Sequence, residues 1–406
     1  MTDRERPSPD DNSWAPLTIT LAIQSMVSMA LLALPAMAPP VAQAVGISAA
    51  YVGLYIALAY VGAILASLAA GPAVGRYGAI RVSQLGLWIC AAGLLLCAVP
   101  WVPAIALGAV LVGIGYGPIT PASSHLLART TPVHRMSLVF SIKQTGVPLG
   151  GALAGAIVPG LQQVTGWQQA LLAVAAACIV CAFVSQVLRK DFDADRDPAR
   201  ALRFGSFLDP VRMVLSEKPL RMLAGCSFMF SIAQLSLTTY LVTFLTDNLA
   251  YGLVAAGAVL AISQVGGVLG RVSWGYASDR WMGARRTLAA LATVMGLCAV
   301  ATSLLVPGVP HVVVVAVLFL FGASAIGWNG VYLAEVARQA PAGKAGIATG
   351  GTLAITFFGT VLGPPVFGAL AALFGSYRAG FAVLAVPLLL VAVLLWRKAQ
   401  APAVSS

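Results

Sequence analysis

Apolar positions dominate this chain in long runs, and the runs are separated by short polar turns. Stretches of about 20 predominantly apolar residues or more, each able to cross a hydrocarbon core as a helix, are predicted at 15–38, 49–72, 81–100, 103–127, 137–159, 167–188, 220–246, 253–277, 286–306, 311–336, 346–372 and 378–396. One interruption is longer than the rest. The segment 189–219 is hydrophilic; Asp191, Asp193, Asp195, Arg196 and Asp197 are expected to be solvated, and 209–217 to form a short helix at the membrane surface. The pattern divides the chain into a tail (1–14), a six-helix bundle (15–188), a linker (189–219), a second six-helix bundle (220–396) and a tail (397–406).

Composition agrees with the pattern. Of 406 residues, 59% are hydrophobic and 9% charged, whereas charged residues make up about a quarter of a soluble domain. The fold class is therefore an all-α membrane protein of twelve transmembrane helices, with the lipid bilayer as its surroundings. A net charge of +11 would suggest nucleic acid in a soluble domain. Here the cations sit in alternate turns: Arg4 and Arg6, Arg76 and Arg81, Arg129 and Arg135, the stretch from Arg189 to Arg221, Arg280, Arg285 and Arg286, Arg338 and Lys344, and Arg397 and Lys398. Only Lys143, Arg271 and Arg378 lie elsewhere. That asymmetry orients the chain with those turns and both termini in the cytoplasm; a multi-pass protein of a bacterial inner membrane, with no nucleic-acid partner, is expected. The first 13 residues lack the basic region and cleavage site of a secretory signal, so the first run is expected to be permanent.

The six cysteines all fall in apolar runs, and Cys178 and Cys181, alone at metal-like spacing, have no further ligand type nearby. No disulfide, metal or cofactor is expected. With no phosphate loop or nucleophile triad either, the chain reads as a non-enzyme.

The two halves repeat. A shift of 209 residues superimposes Arg129 on Arg338, Pro132 on Pro341, Gly150 on Gly359 and Gly166 on Gly375. Two repeated bundles in a membrane point to a transporter whose site lies between them near the midplane. The most distinctive local motif is the charged hinge after the eighth run, Gly275-x-x-x-Asp279-Arg280-x-x-Gly283-x-Arg285-Arg286, with a weaker copy around Gly75, Arg76 and Arg81.

Twelve runs, a central linker and this hinge resemble the major facilitator superfamily over essentially the whole chain. The resemblance implies two pseudo-symmetric six-helix bundles that rock about a central cavity, with the hinge bracing the cytoplasmic side in the outward-open state. Gly75 stands where the family usually has Asp, so the strong brace is expected in the second half alone, centred on Asp279. Ala109 occupies the place of an Arg found in many proton-coupled members, and Pro148 in Gly146-Val-Pro148-Leu-Gly150-Gly151 is displaced by one from the drug-antiporter pattern. Both departures count against a standard drug/proton antiporter.

Two cations carry the candidate chemistry. Lys143 lies eight residues past Arg135, about 12 Å of helix into the hydrocarbon. An ammonium facing lipid there would cost about 2.5 to 3.5 kcal/mol. It is expected to face a wet cavity beside Gln144 and Thr145 and to anchor an anionic substrate by direct contact, or else to find a partner or snorkel to the interface. Arg271 is the second, two turns beyond Gln264 on one helix face, and its planar fork can grip a carboxylate. The competing reading is a structural ion pair with Asp279 or Glu335. Further candidate liners are Gln24, Gln234, Thr238, Tyr240, Trp328, Asn329, Tyr332, Thr352 and Thr356, each individually more often interhelical glue than a ligand contact. His125, His134 and His311 fall near helix ends, where solvation is the plainer reading. A cytoplasmic gate is expected from Asp279, Arg280, Gly275, Gly283, Arg285, Glu335 and Arg338, with Arg76 and Arg129 from the first half.

Two deep cations without a deep acid make the cavity electropositive. The expected function is secondary active transport of a small organic anion, monocarboxylate-like, by rocker-switch alternating access, partly because helix-8 arginines bind carboxylates in related family members. A proton or a counter-anion could couple to it, and the transporter is expected to act as a monomer. The alternative is efflux of neutral or hydrophobic compounds with both cations structural. A receptor on a transporter scaffold is disfavoured, since no sizeable soluble domain is seen in the sequence.

Overall fold

The computed structural model describes residues 14–130, 139, 142–194, 196–199, 208–341 and 345–400. Among these residues all regular structure is helical. The spanning helices are α1 (Trp14–Ala33), α2 (Val52–Tyr77), α3 (Ala79–Cys97), α4 (Val102–Tyr116, continued by Ile119–Thr130), α5 (Gly146–Thr165), α6 (Trp167–Ser185), α7 (Lys218–Leu249), α8 (Leu253–Ala277), α9 (Gly283–Leu304), α10 (His311–Ala325, continued by Asn329–Gln339), α11 (Ala345–Phe374) and α12 (Tyr377–Gln400). Lipid supplies no hydrogen-bond partners, so a chain this apolar satisfies its backbone internally as helices.

Eleven continuous helical stretches are long and apolar enough to cross a membrane, and one of them, Leu253–Leu304, has 52 residues. At 1.5 Å per residue it would be about 78 Å long, more than twice the hydrocarbon thickness. It contains α8 and α9, joined by a widened turn at Ser278–Met282 and turned at Gly283, whose φ of +73° suits glycine. This gives twelve crossings.

Several boundaries differ from the sequence expectation. The first helix stops at Ala33, not at 38, because Pro35 lacks a backbone donor; a single tight turn, Pro35–Met37, and a short helix, Ala38–Val45, follow. The fifth runs on to Thr165, with Pro159 inside it, and its expected start at 137 lies outside the described residues. In the linker a helix does form at Leu208–Ser216, and it packs against α11. Asp193, expected to be solvated, is instead 4% exposed, and its carboxylate accepts from the backbone N–H groups of Ile80 (2.8 Å) and Arg81 (3.0 Å). The unpaired donors at the start of α3 explain the correction, since an acidic side chain is stabilised there. A Cβ at Gly78 would meet that carboxyl at 2.2 Å, so the glycine makes room for the cap. Asp195 lies outside the described residues.

Glycine sets the closeness of helix packing within each bundle. A Cβ on Gly113 of α4 would lie 1.7 Å from the Ala59 carbonyl oxygen of α2, and one on Gly270 of α8 would lie 2.0 Å from that of Ala323 on α10. Without side chains there, backbones touch, the usual basis of helix association in lipid.

Candidate functional site

A cavity of about 370 Å³ lies between the bundles, lined by α2, α4 and α5 on one side and α7, α8, α10 and α11 on the other. Its size falls within the range of roughly 300 to 1,000 Å³ typical of small-molecule sites. Tyr60, Tyr116, Trp328 and Phe357 give it an aromatic lining, with Tyr60 meeting Tyr116 edge-on at 6.1 Å and Phe357 at 6.2 Å across the two bundles. Arg271 is the one charged side chain among the lining residues.

Arg271 is held in place by backbone. Its Nε donates to the Ile326 carbonyl at 3.1 Å, and its Nη1 donates to the carbonyl of Gln144 on the facing bundle. Ile326 accepts because α10 breaks between Ala325 and Asn329, which frees its carbonyl from the helical ladder. Among the described residues Arg271 makes no ion pair, so the expected alternative of pairing with Asp279 or Glu335 is not what the structure contains. A guanidinium has five N–H donors, and two are engaged; the rest are available to the cavity.

The other polar liner with a fixed orientation is Gln234 on α7. Trp328 donates its indole N–H to Gln234 Oε1 at 3.0 Å, and Asn329 Nδ2 lies 3.5 Å from the same oxygen. Because an indole N–H can only donate, the oxygen end is fixed, and the Gln234 amide NH₂ is left as a donor at the cavity. Arg271, Gln144, Gln234, Trp328, Asn329 and Thr356 are therefore brought together, as expected candidates that do line one space.

Other expected liners are not there. Lys143 is 1% exposed beside the cavity rather than lining it, and among the described residues its Nζ has no hydrogen-bond partner. Gln24 bridges α1 and α4 through Thr120 (3.2 Å), Thr352 bonds back to the Thr349 carbonyl (3.0 Å), and Tyr332 is buried against Trp328. These three serve packing between or along helices. Gln264 and Thr238 line a small adjoining pocket with Ser28 and Gln234. Sequence reasoning missed Tyr60 and Tyr116, whose signal was a polar-tipped aromatic in mid-run.

A family model described as Major Facilitator Superfamily matches residues 17–352. The chain belongs to this superfamily. Its relatives include the gallate transporter of Pseudomonas putida, 27% identical over 67% of this chain and 68% of the relative. The gentisate transporter of Corynebacterium glutamicum is 25% identical over 80% and 72%. Among solved structures, a bacterial homologue of the human lysosomal transporter Spinster, titled inward-facing and occupied, has a TM-score of 0.72 at 17% identity over 96% of each chain. A POT family transporter in complex with 5-aminolevulinic acid scores 0.76 at 12% identity, covering 95% of this chain and 96% of its own. The chain is thus a transporter, not an enzyme, and a multi-pass membrane protein.

In this superfamily member the cavity residues Ser67, Thr120, Gln144, Arg271 and Asn329 all lie on the halves of their helices that lead to the arginine-rich turns. The opposite halves are sealed. There Gly155 of α5 and Gly257 of α8 cross so closely that a Cβ on either would meet the other's carbonyl oxygen, at 2.6 and 2.4 Å. Tyr240, expected as a liner, sits in this seal, stacked on Phe367 at 5.0 Å.

The expected gate residues divide. Glu335, 5% exposed, pairs with Arg285 (3.3 Å) and Arg338 (3.2 Å) and accepts from Gln339 (2.9 Å). Asp279 and Arg280 are exposed and outside that cluster, and Gly275 and Gly283 have open space around them. Arg76 lies over the Tyr77 ring at 5.5 Å, and Arg129 is exposed in the last turn of α4. Of the histidines, His311 pairs with Tyr251 at 3.0 Å, and His134 lies outside the described residues.

Proposed function

We propose that this chain moves small organic anions, carboxylates with an aromatic or otherwise apolar body, across the bacterial inner membrane by alternating access to the central cavity. The observation that carries the reading is the charge of that cavity: among its described lining residues, one guanidinium with donors to spare, no carboxylate, and aromatic walls. A carboxylate would take the free donors of Arg271, as a planar fork matches a planar acid. The Gln234 amide would meet a second oxygen, and Tyr60, Tyr116, Trp328 and Phe357 would cover the body. The names of relatives support this class, since gallate, gentisate and 4-hydroxybenzoate are aromatic carboxylates and hexuronate is a sugar acid.

On this reading the arginine-rich turns and both termini face the cytoplasm, and the present structure is the state open inward. The two bundles, bounded as the hydropathy pattern places them, rock about α5 and α8 to expose the cavity on the other side. Asp279 and the Glu335 cluster close the cytoplasmic mouth in that second state.

Efflux of neutral compounds is the second reading, favoured by one observation: Arg271 already holds two backbone carbonyls and could be structural. Purified protein in liposomes separates the two. Exchange of labelled 4-hydroxybenzoate, gallate and glucuronate is expected, together with its loss in Arg271→Gln. Transport of neutral aromatics by parent and variant alike, without anion exchange, would favour efflux instead.

A further inference from the structure

Lys143 is the buried ionisable group that the cavity itself leaves unused. It is 1% exposed, and among the described residues its Nζ has no hydrogen-bond partner. Lys143 stands just ahead of α5, which begins at Gly146. α5 contacts α1, α6, α8 and the Pro35–Met37 turn. Neither α1 nor that turn carries a charged residue, and α6 offers only the thiols of Cys178 and Cys181. α8 carries no acid either; it brings Arg271, which donates to the carbonyl of Gln144, the residue next to Lys143. Tyr116 of α4 lines the same cavity as Arg271.

An ammonium in that place has no counter-ion among the described residues, and the guanidinium of Arg271 is bonded to the carbonyl of the neighbouring residue. Charge without a partner is among the costliest things to bury, whereas a neutral amine forfeits only hydrogen bonds. The balance changes when a carboxylate arrives at Arg271, because a negative charge then enters the same enclosed space. Anion binding and protonation of the amine must therefore favour each other, by equal amounts in both directions.

Resting on the anion reading above, we propose that Lys143 carries the coupling proton, empty when the cavity is empty and filled when an anion occupies it, so that each anion crosses with one proton. The balance closes. A proton from water on the open side binds Nζ as the carboxylate docks; the loaded carrier has the same net charge as the empty one. After the bundles rock, the anion leaves, the ammonium loses its stabilising charge, and the proton passes to water on the second side. One anion and one proton have moved, with no net charge and no bond made or broken elsewhere. This assignment replaces direct substrate contact, the role expected for Lys143 from sequence, with a positioning role exerted through charge.

Proton counting tests it on the intact protein. Benzoate, which has no other titratable group, is titrated into the purified full chain in buffers of different ionisation heat, between about pH 6 and about pH 8.5, where proton uptake is linked to the slope of affinity against pH. The parent is expected to take up close to one proton per benzoate at the upper end, with affinity weakening up to tenfold per pH unit there. In Lys143→Met the uptake should fall to zero, and in Lys143→Arg, which cannot shed its proton, affinity should become independent of pH. Binding by the parent without proton uptake anywhere in that range would overturn the inference alone, whether or not the variants fold. Uptake that persists in Lys143→Met would do the same. A complete absence of benzoate and other anion binding would overturn the cavity reading and this inference with it.

Discussion

The Tyr240 hydroxyl lies 2.7 Å from the carbonyl oxygen of Ala50 in one bundle and 2.8 Å from that of Pro364 in the other. Gly53 and Gly368 stand against the same hydroxyl, with no room for a Cβ. One phenol thus ties the entrance of α2 to α7 and α11 across the sealed side. Tyr240→Phe keeps the ring and its stacking on Phe367 but removes the tie, worth about 0.5 to 1.5 kcal/mol. We expect the sealed state to lose about two- to tenfold in population. A cysteine at Leu235, below the seal, should then react faster with a membrane-impermeant maleimide applied outside intact cells. An unchanged rate would place the latch elsewhere.

The crossing of α5 and α8 makes an opposite kind of prediction. Gly257→Leu puts a side chain where the Gly155 carbonyl now sits. Overpacking of a tight contact costs about 1 to 3 kcal/mol, and here the bundles can escape it by opening. The same Leu235 cysteine should become strongly reactive from outside, while thermal stability changes little. By contrast Gly113→Ala, inside one bundle, has no such escape, and should lower Tm by several degrees. Equal effects of the two substitutions on Tm would contradict a moving interface at Gly257.

Gln234 offers a donor to the cavity because Trp328 and Asn329 occupy its oxygen. Gln234→Glu keeps the shape, places an anion opposite the ligand, and should weaken carboxylate binding by tenfold or more. Gln234→Ala should weaken it about two- to tenfold, the net worth of one hydrogen bond. Equilibrium binding measures both, and a Glu variant that binds as tightly as the parent would remove Gln234 from the site.

Asp279 has no ion-pair partner among the described residues, whereas Glu335 holds two arginines, each about half exposed. We expect Asp279 to find its partners only once the seal opens and the arginine-rich side closes. Asp279→Asn should therefore slow exchange about tenfold and leave anion affinity within twofold. Solvent screens the half-exposed arginines that pair with Glu335, so Glu335→Gln should slow exchange less. Loss of affinity in the Asp279 variant would put the gate and the site in the same place.

Hydropathy made the spanning helices and the superfamily legible, because lipid leaves a long apolar run few alternatives. Arg271 was legible for the same reason: a cation in mid-run must meet something. Asp193 was not, because its partners, the free N–H groups at Ile80 and Arg81, lie more than a hundred positions away in the chain. Nor could sequence tell Gln234, which lines the cavity, from Gln24, which bridges Thr120, since both are amides in mid-helix and only packing separates them. Tyr240 reads equally well as liner or latch until the Ala50 carbonyl is seen beside it.

Arg271 is expected to make the cavity select for negative charge, and two matched ligands decide whether it does. Binding of benzoate and of benzamide, equal in shape and different in charge, is measured in the parent and in Arg271→Gln. The parent should prefer benzoate by at least tenfold, the worth of a charge-assisted hydrogen bond at about 1.5 to 3 kcal/mol, and the variant should lose most of that preference. A parent that binds the two alike, or an Arg271→Gln variant that keeps the full preference, would contradict it.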